Sequence, residues 1–146
     1  MKLSAKGEYA LRSMVDLAMH PADGRVSIQE IAARQSIPHR YLEQVLLQLK
    51  RGGLLESKRG ASGGYHLTKP PDDITVAEVL RAVEGETFPF EPPQSRRGRS
   101  ARGDDLADLW QALSEAVAGV IDHVTLGDLA ARAAARRSAA VPMYHI

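Results

Sequence analysis

The sequence predicts a mainly helical (α+β) fold: three helices, a small basic β-hairpin and a fourth helix, then a long C-terminal helix. Three observations predict it. Apolar residues recur at helical spacing in the segments that open at Ser4, Ser27 and Pro38. The glycine-rich run RGASGG, residues 59–64, separates two short stretches of β-forming residues. Further on, Leu106, Leu109, Trp110, Leu113, Val117, Val120, Ile121 and Val124 fall every three or four residues over about five turns.

Each element has its own signals. Ser4 is placed to cap a first helix with Tyr9, Leu11, Met14, Val15, Leu17, Ala18 and Met19 as its apolar positions; His20-Pro21 and Gly24 end it. Ser27 and Glu30 form the S-x-x-E capping box of a short second helix. Ser36-Ile37 makes a tight connection. Pro38 stands where proline suits a first helical turn, and a third helix runs from about Pro38 to Arg51. Tyr41, Leu42, Val45, Leu46 and Leu49 share a face there, and Gly52-Gly53 stops it. Leu54, Leu55 and Ser57 suit one strand; Tyr65, His66, Leu67 and Thr68 suit its antiparallel partner. Gly60, Gly63 and Gly64 permit the backbone angles of the hairpin tip. After Pro70-Pro71, a fourth helix buries Ile74, Val76, Val79, Leu80 and Val83.

A short helix, a tight turn and a longer helix are compatible with a helix-turn-helix or with a packing hairpin of helices. The basic hairpin that follows favours the first, and the order amounts to a winged helix-turn-helix over residues 1–84. In that architecture the recognition helix enters the major groove of double-stranded DNA by its N-terminal part. Ser36, Pro38, His39, Arg40, Tyr41, Glu43 and Gln44 are then the candidates near bases. Tyr41 is instead half-buried if it follows Val45, and Glu43 is either a base discriminator or points away from phosphate. Lys50 and Arg51 suit phosphate or the helix dipole. Lys58, Arg59 and Ser62 suit the neighbouring backbone or minor groove, and Lys2 and Lys6 are further phosphate candidates.

The charge is consistent with a polyanionic partner, though weakly so. Residues 1–70 carry 11 Lys/Arg against 6 Asp/Glu, and residues 71–146 carry 8 against 12. Zero cysteines exclude disulfides, a catalytic thiol and a thiolate-held metal. His20, His39, His66, His123 and His145 show no i, i+4 pair, so no metal site is expected. No nucleophile–base pair, phosphate loop or carboxylate dyad points to an enzyme. No run is long enough to span a membrane and the N-terminus lacks a signal-peptide core, so a cytoplasmic protein is expected.

The segments SAKGEYALRSMVDLA, YLEQVLLQLKRGGLLESKRGASGGYHL and LWQAL…VTLGDL together resemble the Rrf2 family of bacterial transcriptional regulators, over nearly the whole chain. The resemblance implies a homodimeric winged-helix repressor or activator whose C-terminal helix crosses to its partner. Many members hold an iron–sulfur cluster on three cysteines in the loop before that helix. Here the stretch FEPPQSRRGRSARGDDLADLW has none, with Asp104 near the last expected ligand. Glu8 matches a position where relatives supply a carboxylate, yet alone it cannot replace thiolates. The family's usual cofactor is therefore not expected.

Residues 85–105 read as a loop or linker, residues 106–130 as the dimerisation helix, and residues 131–146 as a fraying tail. The apolar stripe of the long helix requires a partner surface, for which a second copy is the economical choice. Folding back onto its own domain is the alternative. The cluster Arg96, Arg97, Arg99 and Arg102 is open to three readings: solvated linker, DNA-backbone arm, or dock for an acidic partner. The leading expectation is a cluster-free repressor on an inverted-repeat operator; control by a regulatory protein or small-molecule effector is one variant of it, and constitutive binding is another. The competing one is a protein-interaction module, which exposed apolar residues on the recognition face would favour.

Overall fold

A computed structural model describes residues 4–20, 24–61, 63–86, 88 and 106–140. Six α-helices and one two-stranded antiparallel sheet occur among these, together with one 3-10 turn at Pro71–Asp73. No helix among the described residues is long and apolar enough to cross a membrane.

Helix α1 spans Ala5–Met19, and the Ser4 hydroxyl accepts from the Gly7 N–H at 3.1 Å as its N-cap. Helix α2, Ile28–Gln35, opens on the reciprocal Ser27–Glu30 capping box. It ends at Ser36, whose left-handed backbone (φ 53°) turns the chain into the next helix. Helix α3, His39–Arg51, starts one residue later than expected, because Pro38 occupies the N-cap itself. Helix α4, Val76–Glu84, is opened by a second capping box between Thr75 and Glu78.

Strands β1 (Leu55–Lys58) and β2 (Gly64–Leu67) pair Leu55 with Leu67 and Lys58 with Gly64. Val26 adds an isolated antiparallel bridge on the other edge of β2: its N–H donates to the Tyr65 carbonyl at 2.9 Å, and the Tyr65 N–H returns the bond at 2.8 Å. The hairpin is thereby stitched to the chain that enters α2.

The main core joins α1, α2, α3 and α4 through fully buried Met14, Ile31, Leu42, Leu46, Leu49, Ile74 and Val79. One carboxylate lies among them. Asp16, 1% exposed, accepts two hydrogen bonds from Arg34 and one from Gln35, which locks the end of α2 onto α1.

The C-terminal region departs from the expected single helix with a fraying tail. Helix α5 covers Ala107–Ile121, and a separate helix α6 covers Leu126–Ala140. A new cap causes the break: the Thr125 hydroxyl accepts from the Asp128 N–H, and the Asp128 carboxylate accepts from the Thr125 N–H. Leu126, with no exposed surface, docks α6 into the main core. The supposed tail is helical as far as Ala140 because α6 packs on α1, and alanine favours the helix.

Candidate nucleic-acid interface

Helix α3 divides by sides. Leu42, Val45, Leu46 and Leu49 are buried, while His39, Arg40, Tyr41, Glu43, Gln44, Leu47, Lys50 and Arg51 are exposed. With about 100° of turn per residue, Arg40, Gln44, Leu47 and Arg51 cluster on the side opposite the core. The open question about Tyr41 is settled: it is 56% exposed and does not follow Val45 into the core. Glu43 lies one turn beyond His39, with a carboxylate oxygen 3.2 Å from the imidazole Nδ1. Ser36 and Pro38 are exposed at the entry to the helix. Because Pro38 offers no side-chain cap, the first-turn N–H groups of α3 receive no side-chain oxygen from it.

The hairpin stands beside this helix at a fixed position. The Lys50 ammonium donates to the Ser57 hydroxyl at 2.7 Å, joining α3 to β1. Just past β2, the Thr68 hydroxyl donates to the Gly53 carbonyl at 2.7 Å. Lys58, Arg59, Gly60 and Ala61 are exposed at the tip; Ser62 lies outside the described residues. Glu56 and His66 face each other across the strands, with oxygen and Nε2 2.9 Å apart. Two glycines are sterically obligatory. A Cβ on Gly63 would overlap the Lys58 carbonyl oxygen, and one on Gly64 (φ 139°) would lie 2.5 Å from the Val26 carbonyl oxygen. Gly60 (φ 110°) has open space around it and serves only the backbone angle.

Of the remaining basic candidates, Lys6 is exposed on α1. Lys2, the arginines at 96, 97, 99 and 102, and Asp104 lie outside the described residues.

The eight-residue apolar stripe of the C-terminal region proves to be two surfaces. Ile121 is buried against Val76, Ala77 and Leu80 of its own α4, with Val117 and Val124 packed beside it. Leu106, Leu109, Leu113 and Val120 remain exposed, at 52%, 50%, 38% and 60%. Trp110 is half-buried. Assigning Ile121 to a partner-facing surface is thus corrected. The N–H of Val76 donates to the Val124 carbonyl, and that of Leu126 to the Ile74 carbonyl, each at 2.9 Å; Arg81 meets Asp122 at 3.1 Å. These bonds draw the lower end of α5 back onto α4.

Comparison with known proteins agrees with this arrangement. The model of the family described as "Rrf2: Iron-dependent Transcriptional regulator" matches residues 3–132. The chain belongs to the Rrf2 family. It is 38% identical over 130 residues to the HTH-type transcriptional regulator CymR of Bacillus subtilis, covering 89% of this chain and 90% of that one. It is 38% identical over 132 residues to the HTH-type transcriptional regulator IscR of Serratia proteamaculans, covering 88% and 79%. The solved structure of CymR, the global cysteine regulator of B. subtilis, superposes with a TM-score of 0.77 at 36% identity, over 90% of this chain and 98% of the other. This Rrf2 chain is a DNA-binding transcriptional regulator and not an enzyme.

The donor set of this Rrf2 protein does not fit an iron–sulfur cluster. Such clusters are held chiefly by thiolates, and the chain contains no cysteine. Glu8 is exposed on α1 and engaged by Arg12 at 2.6 Å, the ordinary arrangement of a solvated helical pair. Among the described residues, no three His, Asp or Glu side chains converge as metal ligands would.

Proposed function

We propose that this Rrf2 protein is a sequence-specific repressor that occupies an inverted-repeat operator as a homodimer and works without an iron–sulfur cluster. The observation that carries the reading is the juxtaposition of two exposed basic elements. The outward side of α3 presents Arg40, Gln44 and Arg51, and the wing, tied to it through Lys50 and Ser57, presents Lys58 and Arg59.

The division of labour follows from chemistry. Arg40 suits guanine O6 and N7, and Gln44 suits adenine; Glu43, held by His39, suits the amino group of cytosine. Ser36, Pro38, His39 and Tyr41 sit at the end of α3 that enters the groove first. The uncapped N–H groups there suit a phosphate. Lys50, Arg51, Lys58 and Arg59 neutralise backbone charge and set register. Leu106, Leu109, Leu113 and Val120 supply the surface for a second copy, which fixes the spacing of the two reading heads. Acting on DNA, the protein works in the cytoplasm. With no thiolates to sense iron, its signal comes from a regulatory protein or a small-molecule effector.

A second reading, a winged helix that binds protein instead of DNA, is favoured by Tyr41 and Leu47, both exposed on α3. They are about 120° apart around the helix, separated by polar side chains, and so form no continuous apolar patch. Fluorescence anisotropy with genomic fragments at graded salt tests the DNA reading. A preferred fragment, bound with an affinity that falls steeply with salt, is expected. Equal, weak binding to every fragment would refute sequence specificity.

A further inference from the structure

We propose that Leu47 is a sequence-discriminating residue that reads the 5-methyl group of a thymine in each half-site. The inference rests on the DNA-binding reading above and assigns a base contact to a residue outside the polar candidates.

Leu47 is 46% exposed near the middle of α3, although four other apolar residues of that helix are essentially buried. It lies one turn after Gln44 and one turn before Arg51, on the side opposite the core. Its neighbours there are an amide and a cation, so it is an isolated apolar spot within a surface built for a polar, anionic partner. Leaving an isobutyl group in water forgoes its burial, and among the described residues none covers it fully.

Duplex DNA offers one apolar feature in the major groove that is specific to a base, the C5-methyl of thymine. A side chain on the groove-facing side, one turn beyond a base-reading amide, meets base pairs farther along the same groove. Leucine has no donor or acceptor, so it cannot favour G, C or A through hydrogen bonds. It discriminates only by covering a methyl group that the other bases lack. Cations at Lys50 and Arg51, on the next turn, suit the flanking phosphates and hold the helix close enough for that contact.

The test replaces individual thymines of the selected binding sequence by deoxyuridine, which removes only the methyl group. The wild-type protein should lose about fourfold in affinity per half-site at one symmetric thymine position. Leu47→Ala should bind the thymine and deoxyuridine duplexes at that position equally, and Leu47→Met should retain part of the discrimination. Because Leu47 is exposed, the melting temperature of both variants should match the wild type. The inference is overturned if deoxyuridine has no effect at any position in the wild type, or lowers the affinity of wild type and Leu47→Ala alike. A wild-type protein that selects no sequence at all refutes the sequence-specific reading, and this inference with it. Specific selection without a Leu47-dependent methyl effect refutes this inference alone.

Discussion

Arg34 grips Asp16 with both arms of its guanidinium, Nε at 2.9 Å and Nη2 at 2.8 Å from the two carboxylate oxygens. Gln35 adds a third bond at 3.0 Å. The carboxylate is buried in the packing of α1, so this pair fixes how the helix-turn-helix sits on the first helix. Removing one partner leaves the other poorly compensated. Asp16→Asn should therefore destabilise the fold by about 2–3 kcal/mol, measured by chemical denaturation. An unchanged midpoint would mean that the pair contributes little.

The same site makes a pH prediction. Burial alone would raise the Asp16 carboxyl, but hydrogen bonds from Arg34 and Gln35, with the charges of Arg34 and His20, bring it below its ordinary value of 3.8. A carboxyl depressed in the native state stabilises fully above its unfolded value, and that contribution fades as pH falls through the native value. Denaturation midpoints of the wild type should drop more steeply below about pH 4 than those of Asp16→Asn. Parallel curves would argue against a depressed carboxyl.

The wing glycines should rank by what a methyl group would strike. Gly63→Ala and Gly64→Ala meet backbone atoms of Lys58 and Val26, so both should weaken DNA binding and lower the melting temperature. Gly60→Ala meets nothing and costs only the strained backbone angle, about 1 kcal/mol. Binding and melting measured side by side would expose a wrong ranking at once.

Base readers and phosphate binders should separate in their behaviour. Lys58→Ala and Arg59→Ala should weaken all sequences about equally, each lowering the salt slope by about one. Arg40→Ala and Gln44→Ala should change which sequence is preferred. If the wing variants alter preference and the α3 variants do not, the roles are reversed.

Two adjacent residues of α5 should fail in different ways. Val120→Arg places a charge on the exposed surface and should shift the mass in sedimentation from dimer to monomer with the fold intact. Ile121→Ala empties a place in the chain's own core and should cost about 2 kcal/mol of stability. Dimeric Val120→Arg would locate the partner surface elsewhere.

Elements that signal within a few residues were legible in the sequence: the Ser27–Glu30 box, the RGASGG tip and the stop at Gly52-Gly53. The break between α5 and α6 was legible in principle, since Thr125 and Asp128 stand at capping-box spacing with Asp in place of Glu. The signal is masked because the apolar period runs on through it to Val124 and an alanine-rich run looks like a fraying end. Asp16 gave no local signal: its partners lie 18 and 19 residues away, so only the packing of α2 on α1 brings them together. The stripe of α5 misled for a related reason. Helical spacing shows which residues share a face, but not whether that face meets the same chain or another copy. Leu47 gives no signal of its own in the sequence, because an apolar residue outside the helix's core period has no place in an amphipathic pattern.

Unbiased selection of DNA fragments from a random pool by the purified wild-type protein bears most directly on the central claim. An enriched inverted repeat is expected, with two equal half-sites at a fixed spacing set by the dimer. A pool that gains no consensus after repeated rounds, from a folded and dimeric protein, would contradict it.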